Sequence, residues 1–321
     1  MAPAWCILQS IMKFTLGLFI LPLALLAGPF RGTDLTADAK WFMHVDYDAA
    51  RDSVVGNKVL GIADDRTCPV PAIKAFAEAV GFDGRRDLLS FTAYGTGAQR
   101  QAVAVIRHRG NNLKIGEYLK SKGAEPDVVD GVPVLGFACD PMQCRLTVAF
   151  PSAGVVVLAM NTADVSKTCA ALDNTAVVAR IPQEATEVAG DAPLFLMGAD
   201  VQACRLANPR AGRMAAQLNS MGMALAESNG VLSLNAKMTM TDAAAAQAAV
   251  QMVEGAKAFM GSRGENFATW TESLSATTSG SGMALSWSAQ SSALVVELDK
   301  ARTRMQEWKK NRAGSCPITG K

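Results

Sequence analysis

Short runs of alternating apolar and polar residues recur along this chain, and their order repeats. Residues 40–46 form an apolar strand ending in Asp46, followed by helix-forming sequence; residues 192–200 do the same and end in Asp200. Paired strands around a turn come next. In the first copy these are residues 88–94 and 102–108 around Gly95-Thr96-Gly97. In the second they are 221–226 and 231–240 around Ser228-Asn229-Gly230, where Asn-Gly is a strong hairpin signal. A helix follows each pair, at 112–121 and at 242–260, the second rich in Ala, the best helix former. Each copy closes with a hairpin and a helix: strands 144–150 and 155–160 then helix 163–172, and strands 270–278 and 283–289 then helix 291–312.

The pattern predicts an α+β fold made of two related antiparallel-sheet-plus-helix halves in the order β-α-β-β-α-β-β-α, the sheet on one side and helices on the other. The two sheets either lie side by side or join edge to edge into one extended sheet. The first repeat spans 38–173 and carries an insertion with a further helix, 72–80. Residues 174–191, weakly periodic and with Pro182 inside, read as a linker, 192–312 as the second repeat and 313–321 as a tail. In the last helix Leu294, Leu298, Ala301, Met305 and Trp308 form one apolar stripe that predicts docking on the sheet.

Ahead of the repeats the pattern changes. Lys13 precedes an uncharged apolar stretch, 14–26, and the small residues Ala27 and Gly28 supply a cleavage site, so residues 1–27 read as a signal peptide with translation expected to start at Met12. The stretch is short for a membrane span and Pro22 interrupts it. The expected location is extracytoplasmic, periplasmic or secreted, with no stable membrane span after cleavage. Composition is globular: half the residues are hydrophobic and 19% are charged. The 31 basic and 29 acidic residues nearly balance and no strong basic run stands out, which argues against nucleic acid as a partner.

Removing Cys6 with the leader leaves Cys68, Cys139, Cys144, Cys169, Cys204 and Cys316, an even count that suits disulfides in an oxidising compartment. Cys139 and Cys144 flank a four-residue hairpin loop between strand-like runs 132–138 and 145–150, which predicts a local bridge. The pairing of Cys68, Cys169, Cys204 and Cys316 stays open. With two His and no second Cys pair at ligand spacing, no metal site is expected.

Candidate chemistry is sparse. His44, Asp46 and Asp48 form the one cluster suited to acid–base work. Asp46 and Asp200, however, hold corresponding places where a strand turns into a helix, where a carboxylate caps free N–H groups. His108, between Arg107 and Arg109, is expected on the surface. In the loop 81–87, Arg85 and Arg86 are candidates for recognising an anionic ligand, with Asp87 partnering an Arg. No nucleophile elbow, Walker loop or His-Glu-x-x-His pair is present, and no cofactor is expected.

The signal sequence, the aromatic-rich opening 40–48 and the Gly81-Phe82-Asp83 loop leading into Asp87-Leu88 resemble a group of exported, internally duplicated α+β bacterial proteins of unknown function. The resemblance implies an extracytoplasmic location and this architecture, and it supplies no catalytic residues. The expected function is non-catalytic binding of a ligand or protein partner in the periplasm or outside the cell. The rivals are an envelope enzyme using His44, Asp46 and Asp48, and a structural protein that self-assembles through sheet edges.

Overall fold

The computed structural model describes residues 28–64, 71–98, 101–139, 144–173, 181–190, 192–207, 216–262 and 270–313. Its strands are β1 (Trp41–Asp46), β2 (Leu88–Gly95), β3 (Ala102–His108), β4 (Glu125–Val129), β5 (Val132–Cys139), β6 (Cys144–Ala149) and β7 (Val155–Ala159). They continue with β8 (Phe195–Asp200), β9 (Leu218–Ser228), β10 (Val231–Met240), β11 (Ser275–Ser279) and β12 (Gly282–Gln290). All twelve belong to one sheet, in the order β11-β12-β10-β9-β8-β1-β2-β3-β7-β6-β5-β4. Every neighbouring pair is antiparallel. The choice left open by the sequence is resolved in favour of one extended sheet, joined where β1 pairs with β8.

Side chains alternate across a strand, so the register sorts the sheet into two faces. Phe42, His44 and Asp46 lie on what we call the front face, and Val45 lies on the back. Both faces of β1 are buried: Phe42 and Val45 are each 2% exposed. Helices therefore cover both faces, not one as the sequence pattern suggested. The front is closed by residues 28–36, by α6 (Thr162–Asp173) and by α7 (Gln183–Val188), whose Val165, Cys169, Ala185 and Val188 join Leu35, Phe42 and Tyr94 in the largest core cluster.

The back carries the other helices of the core. These are α1 (Tyr47–Asp52), α2 (Val54–Asp64), α5 (Asn112–Ser121), α9 (Ala243–Gly261) and α10 (Ser291–Ala313). Leu119 of α5 packs with Leu135, Val148 and Val156; Ala245, Ala246 and Ala249 of α9 pack with Met240 and Met283. Three further helices lie among the described residues: α3 (Pro71–Val80), α4 (Gly84–Asp87) and α8 (Val201–Ala207). Leu294 and Leu298 of α10 do bury, with Leu232 and Trp287 of the sheet, but also with Ala50 and Val55 of α1 and α2. Lys58 of α2 pairs with Asp299 of α10 at 2.6 Å. Ala301 is exposed, and the side chains of Met305 and Trp308 lie outside the described residues.

Three further departures have local causes. Strand β4 was not anticipated, although Asp130 and Gly131 turn it into β5 with φ of 50° and 82°, the two left-handed positions of a tight hairpin. Strand β11 begins only at Ser275; Trp270 instead stacks on Trp287 (centroids 6.3 Å) and accepts its indole N–H at 2.7 Å. The expected linker holds α7, with Ala185 fully buried against the sheet. It fits because Gly198 and Gly222 leave room for it. A Cβ on Gly222 would come within 2.2 Å of the Ala185 nitrogen. We therefore expect Gly222→Ala to lower stability by about 1–3 kcal/mol through displacement of α7, measured by denaturant unfolding. A change within a few tenths of a kcal/mol would show that α7 is not seated as described.

Candidate functional site

His44 lies at the centre of the sheet, fully buried on the front of β1. Its Nε2 is 3.1 Å from the Gly28 carbonyl oxygen and its Nδ1 is 2.9 Å from the Thr92 hydroxyl on neighbouring β2. A carbonyl can only accept, so Nε2 carries the proton. Burial pushes the His44 pKa down to about 4, only partly opposed by Asp34. The ring is therefore neutral at pH 7, and Nδ1 accepts from Thr92. Asp34, 1% exposed, receives Arg107 of β3 through both Nε and the terminal nitrogen, and its Oδ2 lies 3.5 Å from the Thr92 hydroxyl. That hydroxyl has one proton to share between His44 and Asp34. Phe30 stacks on Phe42 and meets the His44 ring edge-on.

Asp46, two residues on and on the same face, caps α1 by accepting the Ala49 N–H at 3.0 Å. Burial raises its pKa, while the Ala49 N–H and the Gly28 N–H, both donated to the carboxylate, pull it back down. Asp200 accepts the Ala203 N–H of α8 at the same 3.0 Å. Asp48 turns elsewhere: its carboxylate takes Arg51 and, at 3.3 Å, Arg109. The three residues of the enzyme reading do not converge on a common point. Both His44 nitrogens are engaged, Asp46 faces Gly28 and a helix end, and Asp48 belongs to an arginine network.

That network holds the candidate recognition loop. Arg51 donates to the Arg85 and Arg86 carbonyls at 3.4 and 3.2 Å, and Arg109 donates to Arg86 O at 3.3 Å. The Arg85 guanidinium meets Asn57 at 2.9 Å, and that of Arg86 meets Asp87 at 3.0 Å. Asp83 caps the short α4 through the Arg85 N–H, while Asp87 accepts the Asp83 N–H at 2.8 Å. Both arginines are thus engaged, Arg86 within the loop and Arg85 with α2. His108, expected at the surface, is 4% exposed: strand parity places it on the back face, where the ring of Phe82 meets it edge-on at 6.0 Å. Burial lowers its pKa as well.

A second polar region, unmarked in the sequence, lies on the front of β10, β12 and β11. Cross-strand rows there read Asn235, Ser286, Ser275, then Lys237, Ala284, Thr277, then Thr239, Gly282, Ser279. Beside α7 the second and third rows line a groove of about 370 Å³ that also takes in Gln183, Glu184 and Glu187. Lys237 reaches Glu187 at 2.9 Å, and Glu184 accepts from the Ser220 hydroxyl at 2.5 Å and from Thr239. Those hydroxyls hold the Glu184 carboxyl below its usual pKa despite partial burial.

The register sets Cys139 directly across from Cys144; their side chains, like Cys68 and Cys316, lie outside the described residues. Among the described residues no disulfide is formed: Cys169 and Cys204 are free thiols, pushed up to about 11 by burial. Also among the described residues, no group of three or more His, Cys, Asp or Glu could hold a metal ion, and no helix is long and apolar enough to cross a membrane.

The chain is similar to solved structures of TP0453. Crystal form I has a TM-score of 0.45 at 10% identity, covering 85% of this chain and 98% of that one. Crystal form III has a TM-score of 0.47 at 9% identity, covering 84% and 97%. No protein-family model and no curated protein matches the chain.

The buried neutral histidine makes stability depend on pH. Its folded pKa of about 4 lies below the unfolded value of 6.5, so the unfolded state binds the proton first. The stability is intact above pH 6.5 and drains away as pH falls from 6.5 towards 4, by on the order of 3 kcal/mol for this group. His108 adds a loss of the same sign. We expect His44→Gln to remove most of the decline in melting temperature over that window; an unchanged slope would show that His44 is solvated.

Proposed function

We propose that this chain is an exported, non-catalytic binding protein that takes a polar ligand or protein partner on the front face of β10, β12 and β11, beside α7. One observation carries the reading: this stretch of sheet presents exposed hydrogen-bonding side chains in register on three neighbouring strands, whereas the centre of the front face is covered by residues 28–36, α6 and α7. Asn235, Ser275, Thr277, Ser286 and Ser288 are all exposed, and the groove at their side mixes Lys237 with Glu184 and Glu187. Donors and acceptors in regular rows suit a ligand rich in hydroxyl or amide groups. The groove's ion pair is half-exposed and so opens at little cost.

Export rests on the apolar stretch 14–26 and the cleavage site at Ala27-Gly28. In that compartment the facing Cys139 and Cys144 would be oxidised to a bridge across the β5–β6 hairpin. The two halves are read as a duplication whose first strands, β1 and β8, meet at the centre of the sheet. The enzyme reading is the weaker one, because His44, Asp46 and Asp48 are each committed to structural partners.

Self-assembly draws on one observation. Edge strand β11 (Ser-Ala-Thr-Thr-Ser) has neither charge nor proline, whereas the opposite edge, β4, carries Glu125, Pro126 and Asp127. A solution mass that rises with protein concentration would favour that reading.

The binding face is tested by adding host envelope extract to isotopically labelled mature protein. Amide shifts should concentrate on residues 183–187, 237–239 and 277–284, and Lys237→Glu should weaken them about tenfold, or ~1.4 kcal/mol. Shifts centred on the His44 region, or none at all, would sink the assignment.

A further inference from the structure

Gly28 is buried. Its carbonyl oxygen accepts from His44 Nε2 at 3.1 Å, and its Cα lies so close to the sheet that a Cβ there would reach Ser90 Oγ at 3.3 Å. Ser90 lies directly opposite Asp46 in the β1–β2 register, so Gly28 sits beside the carboxylate of Asp46, which is only 5% exposed and whose pKa the Gly28 N–H pulls down. Both polar ends of one glycine are therefore received by β1, through two side chains spaced to share a face. Phe30 anchors the following residues on Phe42 and His44. The sequence places a leader-cleavage site immediately before this glycine.

We propose that removal of residues 1–27 leaves Gly28 as the mature N-terminus, and that its new α-ammonium forms a buried ion pair with Asp46. This deepens the export reading and rests on it. Hydrolysis of the Ala27–Gly28 peptide bond by water gives a carboxylate on the released leader and an amine on Gly28. That amine is protonated at neutral pH, its ordinary pKa being about 7.7–8.0. A neutral amide N–H facing Asp46 thereby becomes a cationic donor at the same place, and a charge-assisted bond is the stronger one.

The surroundings suit a cation there. His44 is neutral, and the positive charge of nearby Arg107 is matched by Asp34. A Cβ at this position would sit tightly against Ser90 Oγ, at 3.3 Å. The pair gives export a structural consequence: the precursor folds without it, and the processed chain gains it.

Two measurements test this. Intact-mass analysis of protein recovered from its own host should give a chain starting at Gly28. A different first residue would overturn the processing site, and a retained leader on cytosolic protein would sink the export reading too. Separately, chains released to begin at Gly28 are compared with chains carrying one extra N-terminal Ala, each with Asp46 or with Asp46→Asn. Asn caps α1 as well as Asp does, so both backgrounds fold. The Gly28 start should raise the melting temperature by about 2–4 °C with Asp46, and by nothing measurable in the Asp46→Asn background. Equal melting of the two starts with Asp46, or a gain that persists in Asp46→Asn, would overturn the ion pair while leaving export intact.

Discussion

The pairing of β1 with β8 turns two halves of a chain into one object. Five register partners, from Trp41 opposite Ala199 to Val45 opposite Phe195, make the sheet continuous across its middle. Because β1 is then hydrogen-bonded on both edges, its backbone has no free ladder, and its position is set by the strands on either side. The packing across the join follows. Phe42 of β1 and Leu196 of β8 share the front cluster with Ala185 of α7, while Leu194 on the back joins Ala50, Val55 and Leu294. Helix α10, at the far end of the sequence, closes on α2, near its beginning. Neither half presents a complete core without the other.

Placing a histidine, an aspartate and an arginine at the front of this join is expensive unless each is paired. The structure pairs them: His44 between Thr92 and Gly28, Asp34 between Arg107 and the Thr92 hydroxyl. An apolar set of the same volume would pack as well, but it would not fix which backbone atoms lie over it. The polar set requires Gly28, Asp34 and β1 to keep one mutual position. It thereby holds residues 28–36, which contain only a single 3-10 turn of regular structure, in one place on the sheet.

What could be read from the sequence was what the local pattern determines. Alternation gave the strands of the central hairpins, and Asn229-Gly230 marked a turn whose φ values are 52° and 72°. Asp130-Gly131 is an equal signal, but Glu125-Pro126-Asp127 reads as polar loop because an edge strand lacks the alternation that burial imposes. Helix α7 is six residues long and owes its existence to Gly198 and Gly222, which are remote in sequence. The site divides the same way. Asp46 and Asp200 stand out because a cap is a local device. Asp34, Thr92 and Arg107 do not, since their partners lie 48 to 73 residues away. The hydroxyl rows of β11 and β12 look like turn-rich, low-complexity sequence until the register lines them up.

The two aspartates show why a shared local role does not exhaust a residue's work. Each accepts an N–H three residues on at 3.0 Å, so the caps are alike. Asp200 does no more than this among the bonds described for it, and it is half-buried. Asp46 is nearly inaccessible, its carboxyl is raised by burial, and its remaining capacity is turned towards Gly28. A cap alone gives no reason to bury a carboxylate, because a helix N-terminus is served as well at the surface. The extra desolvation at Asp46 is partly opposed by the Ala49 cap, by the charge of Arg51 and by one further donor to the charged form. The N–H of Gly28 is the group the fold brings there.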